Sequence, residues 1–200
     1  MRFACALTCL LALTVTHLPA QTANPNKKSD PAAIGNRDVG RGINLYSLEK
    51  EMALGKQIAQ EVQRQAKVVD DPMLSEYLNR IGQNLVRNSD ARVPFTFQLI
   101  EGDLPNAFSL PGGYVFVYTG LIKIAGEEDE LAAVLAHEIA HVSARHMTKQ
   151  ATRSQIGSIA SIPLILLPAG GLARQAIPTG MLTFARAAEE EADFLGVQYL

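Results

Sequence analysis

Residues 126–150 read GEEDELAAVLAHEIAHVSARHMTKQ, and within them His137, Glu138 and His141 form the pattern HExxH. On a helix, positions i and i+4 share one face, so the two imidazoles can bind a single metal ion while Glu138, beside the first, reaches a water on it. That is the arrangement of a zinc hydrolase. The four acidic residues 127–130 crowd the first turn, where the helix dipole favours negative charge, and Arg145, His146 and Lys149 come late. The stretch is therefore expected to form one helix over Glu127–Gln150. Between its ends lie Leu131, Val134, Leu135, Ile139 and Val142 among alanines, so the helix should be buried.

Working outward, the composition is that of one globular domain, with 48% hydrophobic and 19% charged residues. A formal charge of −2 without a Lys/Arg cluster gives no basic field, which argues against a nucleic-acid partner. Residues 1–20 read as a signal peptide: Arg2, an apolar run from Phe3 to Val15, then Leu18-Pro19-Ala20. That run is shorter than the ~20 residues needed to cross a bilayer. Both cysteines, Cys5 and Cys9, lie inside it, so the mature chain would carry neither disulfide nor thiol chemistry. The expected location is outside the cytoplasm, in the periplasm or at the periplasmic face of a membrane.

Residues 21–42, rich in Asn, Pro, Lys, Asp and Gly, are expected to form a flexible leader, and 43–200 the folded domain. Apolar residues from Leu45 to Val62 recur at helical spacing within a helix expected over Ile43–Val69. Asp71-Pro72 caps a second helix running to Asn88. Phe95 to Ile100 reads as a strand. Asn106–Leu110 and Tyr114–Gly120, folded about Pro111-Gly112-Gly113, read as two more, which predicts a small antiparallel sheet beside the helices. Residues 154–173 carry no charge but are divided by prolines and glycines, so an apolar loop or helical hairpin that covers the active site or touches a membrane surface is expected rather than a span. A last helix begins near Thr183, and the chain stops inside its pattern without a stop signal, so the domain is expected to be incomplete at its C-terminus.

Two histidines leave a metal site short. Catalytic zinc takes three protein ligands and structural zinc four. A third histidine six residues after His141, with glycine three after it, would make a longer helical motif, but Met147 and Ala144 stand there. His146 is off register and reads as a structural residue. A carboxylate must then close the site, and Glu189-Glu190-Glu191-Ala192-Asp193 offers one, with Glu189 and Asp193 four apart on one face: one for metal, the other for a ligand imidazole.

Together, Asn106-Ala107-Phe108, Pro111-Gly112-Gly113, Thr119-Gly120-Leu121, His137 to His141 and Arg186 through Glu189 to Asp193 resemble metallopeptidase family forty-eight, the gluzincin group of HtpX-like and BepA-like zinc metallopeptidases that also holds the CAAX prenyl endopeptidase. The resemblance covers roughly Leu45 to Leu200. It implies a mainly helical, zincin-like α+β metallopeptidase domain with one zinc ion per chain. His137, His141 and Glu189 would be its ligands, in preference to Glu190 and Glu191, with Glu138 the catalytic base and Asp193 supporting a ligand. Ala185 stands where serine is usual. It further implies that Asn106, Ala107 and Phe108 hold an extended polypeptide by backbone pairing. The expected activity is peptide hydrolysis on unfolded or misassembled envelope proteins. A non-catalytic, zinc-stabilised scaffold or chaperone-like module is the alternative, and a zinc amidase or lipid hydrolase a third.

Overall fold

The computed structural model describes residues 28–157 and 184–200. Helices α1 (Leu48–Gln65) and α2 (Pro72–Arg87) precede strands β1 (Thr96–Ile100), β2 (Ala107–Leu110) and β3 (Tyr114–Tyr118). The short α3 (Thr119–Ile124) leads to α4 (Glu128–Ser143), α5 (His146–Gly157) and, last, α6 (Arg186–Tyr199). The chain is mainly helical α+β, as expected.

Local chemistry sets the helix starts. Ser47 accepts from the Lys50 amide at the head of α1, and Asp71 accepts from the Met73 and Leu74 amides with Pro72 in the first turn of α2. At the head of α4, Glu130 reaches back to accept from the Gly126 amide at 2.8 Å.

The sheet is mixed, which corrects the antiparallel expectation. Its order is β1-β3-β2, with β2 antiparallel to β3 and β1 parallel to it. The glycine turn makes the β2–β3 hairpin, using positive φ at Gly112 and Gly113 (78° and 90°) that other residues rarely adopt. A short reversal between Ile100 and Ala107 also turns the chain back, so β3 runs in the direction of β1 and fills the place between its neighbours. Alternation sorts the strand residues into two cores. Phe97, Leu99, Ala107, Val115 and Val117 face α2 and α4, where Leu78, Ile81, Leu131, Leu135 and Ile139 are buried with Leu195 and Tyr199 of α6. Ile100, Leu110 and Phe116 face Ala59 and Val62 of α1.

Two further expectations change. The single helix over 127–150 is broken: α4 ends at Ser143, Arg145 takes a left-handed backbone (φ 60°), and α5 restarts at His146. Long-range contacts compensate the local cost, since Arg145 pairs with buried Glu51 of α1 at 2.7 Å and donates to the Tyr46 carbonyl at 2.5 Å. The flexible leader expected over 21–42 is, from Lys28 on, packed against the domain. Arg37, with no exposed surface, forms an ion pair with Asp90 at 2.6 Å, and Tyr199 of α6 donates to the same carboxylate at 2.9 Å. A buried guanidinium needs such a partner, and finding one fixes the segment.

Residues 1–27 and most of 154–173 lie outside the described residues, and with them the signal peptide and the apolar loop. No described helix is long and apolar enough to cross a membrane.

Candidate metal centre

Helices α4 and α6 lie against each other, and their contact builds the site. One turn of α4 presents His137 and His141 toward α6, whose Gly196 backs onto the His137 backbone so closely that an added Cβ would lie 3.1 Å from its nitrogen. That approach brings Glu189, one turn into α6, over the two imidazoles. Nε2 of His137 and Nε2 of His141 face each other at 2.9 Å, and Glu189 Oε2 lies 3.4 Å from the first and 3.8 Å from the second. His141 is buried, His137 half-buried, and the Glu189 side chain 41% exposed, so the cluster opens to solvent on the carboxylate side.

The donor set suits a divalent metal ion. A four-coordinate ion with bonds of ~2.0–2.1 Å sets its ligand atoms ~3.3 Å apart, and the three observed separations bracket that value. Each imidazole also has its outer nitrogen engaged. His137 Nδ1 lies 2.8 Å from Asp193 Oδ1, and His141 Nδ1 lies 2.9 Å from Nδ1 of His146. Burial, followed by the nearby charges of His137 and His146, holds His141 down at about 3, so the ring is neutral and able to ligate at neutral pH.

Glu138 stands apart from the ligand cluster, on the β2 side of α4. Ser109 of β2 lies beside its carboxylate and favours the charged form, yet desolvation prevails and pushes the carboxyl up to about 7. A carboxyl that changes charge near neutrality is suited to taking and returning a proton. Beside His141 a small open groove is bordered by Ser109, Pro111, Arg145, Thr148 and Phe184.

Asn106, Ala107 and Phe108 lie along this side of the fold but bring no side chain to the ligand cluster. Ala107 is buried in the core, and Phe108 stacks on Phe116 at 5.3 Å. Since the Tyr118 amide bonds to the Asn106 carbonyl, the ladder's alternation turns the backbone groups of Ala107 and Ser109, not those of Phe108, to the free edge of β2.

Sequence reasoning missed several residues of this neighbourhood. Ser109 sat one position beyond the tripeptide singled out, with nothing in its type to mark it. On a continuous helix His146 is off register, and only the break at Arg145 turns its ring to His141. Glu191, half-buried and 3.2 Å from His146 Nε2, enters the sequence reading only as a less favoured ligand than Glu189. Phe184, stacked on His141 at 4.2 Å between centroids, gave no signal at all.

A model of peptidase family M48 matches residues 72–200. The chain is 35% identical over 178 residues to the beta-barrel assembly-enhancing protease of Yersinia pestis, covering 82% of this chain and 37% of that protein. Its counterpart in Escherichia coli K12 is 33% identical over 171 residues, 78% of this chain and 35% of that protein. The mitochondrial metalloendopeptidase OMA1 of Schizosaccharomyces pombe is 33% identical over 179 residues, 84% and 51% respectively. The chain thus spans little more than a third of the bacterial relatives' length. With a match across α2 to α6 and relatives that agree on the same kind of protein, the chain belongs to peptidase family M48.

Proposed function

We propose that this chain is a zinc-dependent endopeptidase that acts, after export, on unfolded or misassembled proteins of the cell envelope. The observation that carries the reading is the division of labour on α4: two imidazoles and Glu189 converge on one point, while Glu138, uninvolved in that cluster, has a carboxyl poised near neutrality at the edge of β2. A purely structural metal site has no use for such a group. The names of the relatives, proteases of bacteria and a metalloendopeptidase of mitochondria, support the activity class.

His137, His141 and Glu189 hold the ion, one per chain. When bound, zinc supplies Lewis-acid polarisation of a carbonyl and eases deprotonation of a water near pH 7. Glu138 takes a proton from the attacking water and returns it to the leaving amine. Ser109 holds the Glu138 carboxylate at the strand edge, and Asp193 orients His137. Within Asn106, Ala107 and Phe108, an extended substrate pairs with the outward backbone groups of Ala107 at the free edge of β2, because the Phe108 backbone is turned to β3 and the Ala107 and Phe108 side chains are committed to packing.

The deciding experiment compares the parent with Glu138→Gln on an unfolded protein substrate, with zinc content measured on both. The variant should keep its metal and its fold while cleavage falls by a factor of ~10² or more. Cleavage at the parental rate in a contaminant-free preparation would refute the catalytic assignment and leave a metal-stabilised scaffold as the better reading.

A further inference from the structure

The two ligand imidazoles are supported in different ways. His137 meets its carboxylate directly, at Asp193, whereas His141 reaches one only through a second histidine. His141 Nδ1 lies 2.9 Å from His146 Nδ1, His146 Nε2 lies 3.2 Å from Glu191 Oε2, and the other Glu191 oxygen meets the Lys28 ammonium.

This chain of contacts has one consistent proton arrangement when both rings are neutral. A carboxylate can only accept, so His146 carries its proton on Nε2 and presents a lone pair at Nδ1. That lone pair accepts from His141, which must then be protonated on Nδ1. His141 is left with its Nε2 lone pair aimed at His137 and Glu189, the tautomer a metal ligand requires. We propose that His146 and Glu191 are positioning residues, a relay that sets the tautomer and ring orientation of His141, with Lys28 steadying its outer end. The proposal rests on the metal-binding reading above.

The surroundings match such a role. His146 is buried, and its ring stands edge-on to His141 with centroids 4.9 Å apart, while Phe184 covers a face of His141. The left-handed backbone at Arg145 is what lets α5 begin with His146 directed back at α4. Glu191 belongs to the helix that supplies Glu189, so the relay ties the buried ligand to the helix bearing the carboxylate ligand.

The test measures the zinc dissociation constant of the full chain by chelator competition, with circular dichroism for folding and imidazole ¹⁵N–¹H spectra for tautomers. Four proteins are compared: the parent, His146→Phe, His146→Gln and Glu191→Ala. The parent should bind one zinc with His141 protonated on Nδ1. His146→Phe and Glu191→Ala should each bind about 10- to 100-fold more weakly, and His146→Gln, whose amide oxygen can accept from His141, should recover most of the loss. Should His146→Phe not fold, the half-buried Glu191 decides the matter. Parental zinc affinity and an unchanged His141 tautomer in folded Glu191→Ala would overturn the relay alone. A folded His146→Gln no better than a folded His146→Phe would also overturn it, because His146 would then only fill space. A parent that binds no zinc would instead overturn the metal site on which the relay depends.

Discussion

His137 Nδ1 and Asp193 Oδ1 meet at 2.8 Å across 56 residues of sequence, joining the His137–His141 turn of α4 to the first half of α6. The Asp193 side chain is 73% exposed, so its removal should leave the fold unchanged and loosen only the imidazole it holds. Asp193→Ala is expected to weaken zinc binding by about 10- to 100-fold, with Asp193→Asn intermediate. Glu189→Ala, which removes a proposed ligand outright, should leave the purified protein largely metal-free. Equilibrium dialysis of the three variants checks the order.

Glu138 gives the metal-free protein a distinctive pH dependence. Its ordinary value is 4.5 and the folded value about 7, so the native state binds this proton more tightly than the unfolded chain does. The associated stabilisation is full below pH 4.5 and is lost as pH rises through 7. Glu138→Gln has no such loss. In chelator, it should match the parent near pH 4 and exceed it at pH 8 by on the order of 3 kcal/mol. His141 acts in the opposite sense, its stabilisation being lost as pH falls from 6.5 toward 3, but it is common to both proteins and leaves the difference intact. Urea melts of the two proteins at several pH values measure that difference.

At Gly196, α6 packs closely on the α4 backbone beside the site. A methyl group there would press on His137 N and Cα and on the Ala136 carbonyl carbon, at 3.1–3.3 Å, and backbone atoms cannot rotate away. Helix propensity alone would make Gly196→Ala stabilising by ~1 kcal/mol. The expected outcome is nevertheless weaker zinc binding, because α6 must move outward and carry Glu189 with it. Unchanged metal affinity in this variant would show that the close approach is not needed to place the carboxylate.

Arg37 holds the segment before α1 to the domain through Asp90, with neither side chain exposed. Arg37→Met would strand that carboxylate in the interior, and breaking such a pair costs roughly 3–5 kcal/mol. Chemical denaturation should show that loss, and limited proteolysis should newly cut between residues 28 and 42. An unchanged protease pattern would count against the clamp.

How much was legible in advance follows from the range of the interactions involved. HExxH, the Asp71-Pro72 cap, the acidic start of α4 and the hairpin about Gly112-Gly113 are written in residues within a few positions of one another. Their geometry comes from helix periodicity, capping and positive φ. That Glu189 and Asp193 share one helix was legible too, because their spacing of four places both on one helix face. These are properties the chain carries wherever it is folded. The tertiary structure alone decided the rest. The parallel pairing of β1 depends on which edge of β3 is left free. The break at Arg145 is held by Glu51, 94 residues away, and the Ser109 contact with Glu138 requires β2 to lie along α4. His146 becomes a partner of His141 only because that break redirects it, and Arg37 is ordered only because Asp90 and Tyr199 meet it in the interior. In each case, which buried polar group finds which partner depends on how distant elements pack, and local sequence pattern carries no record of that packing.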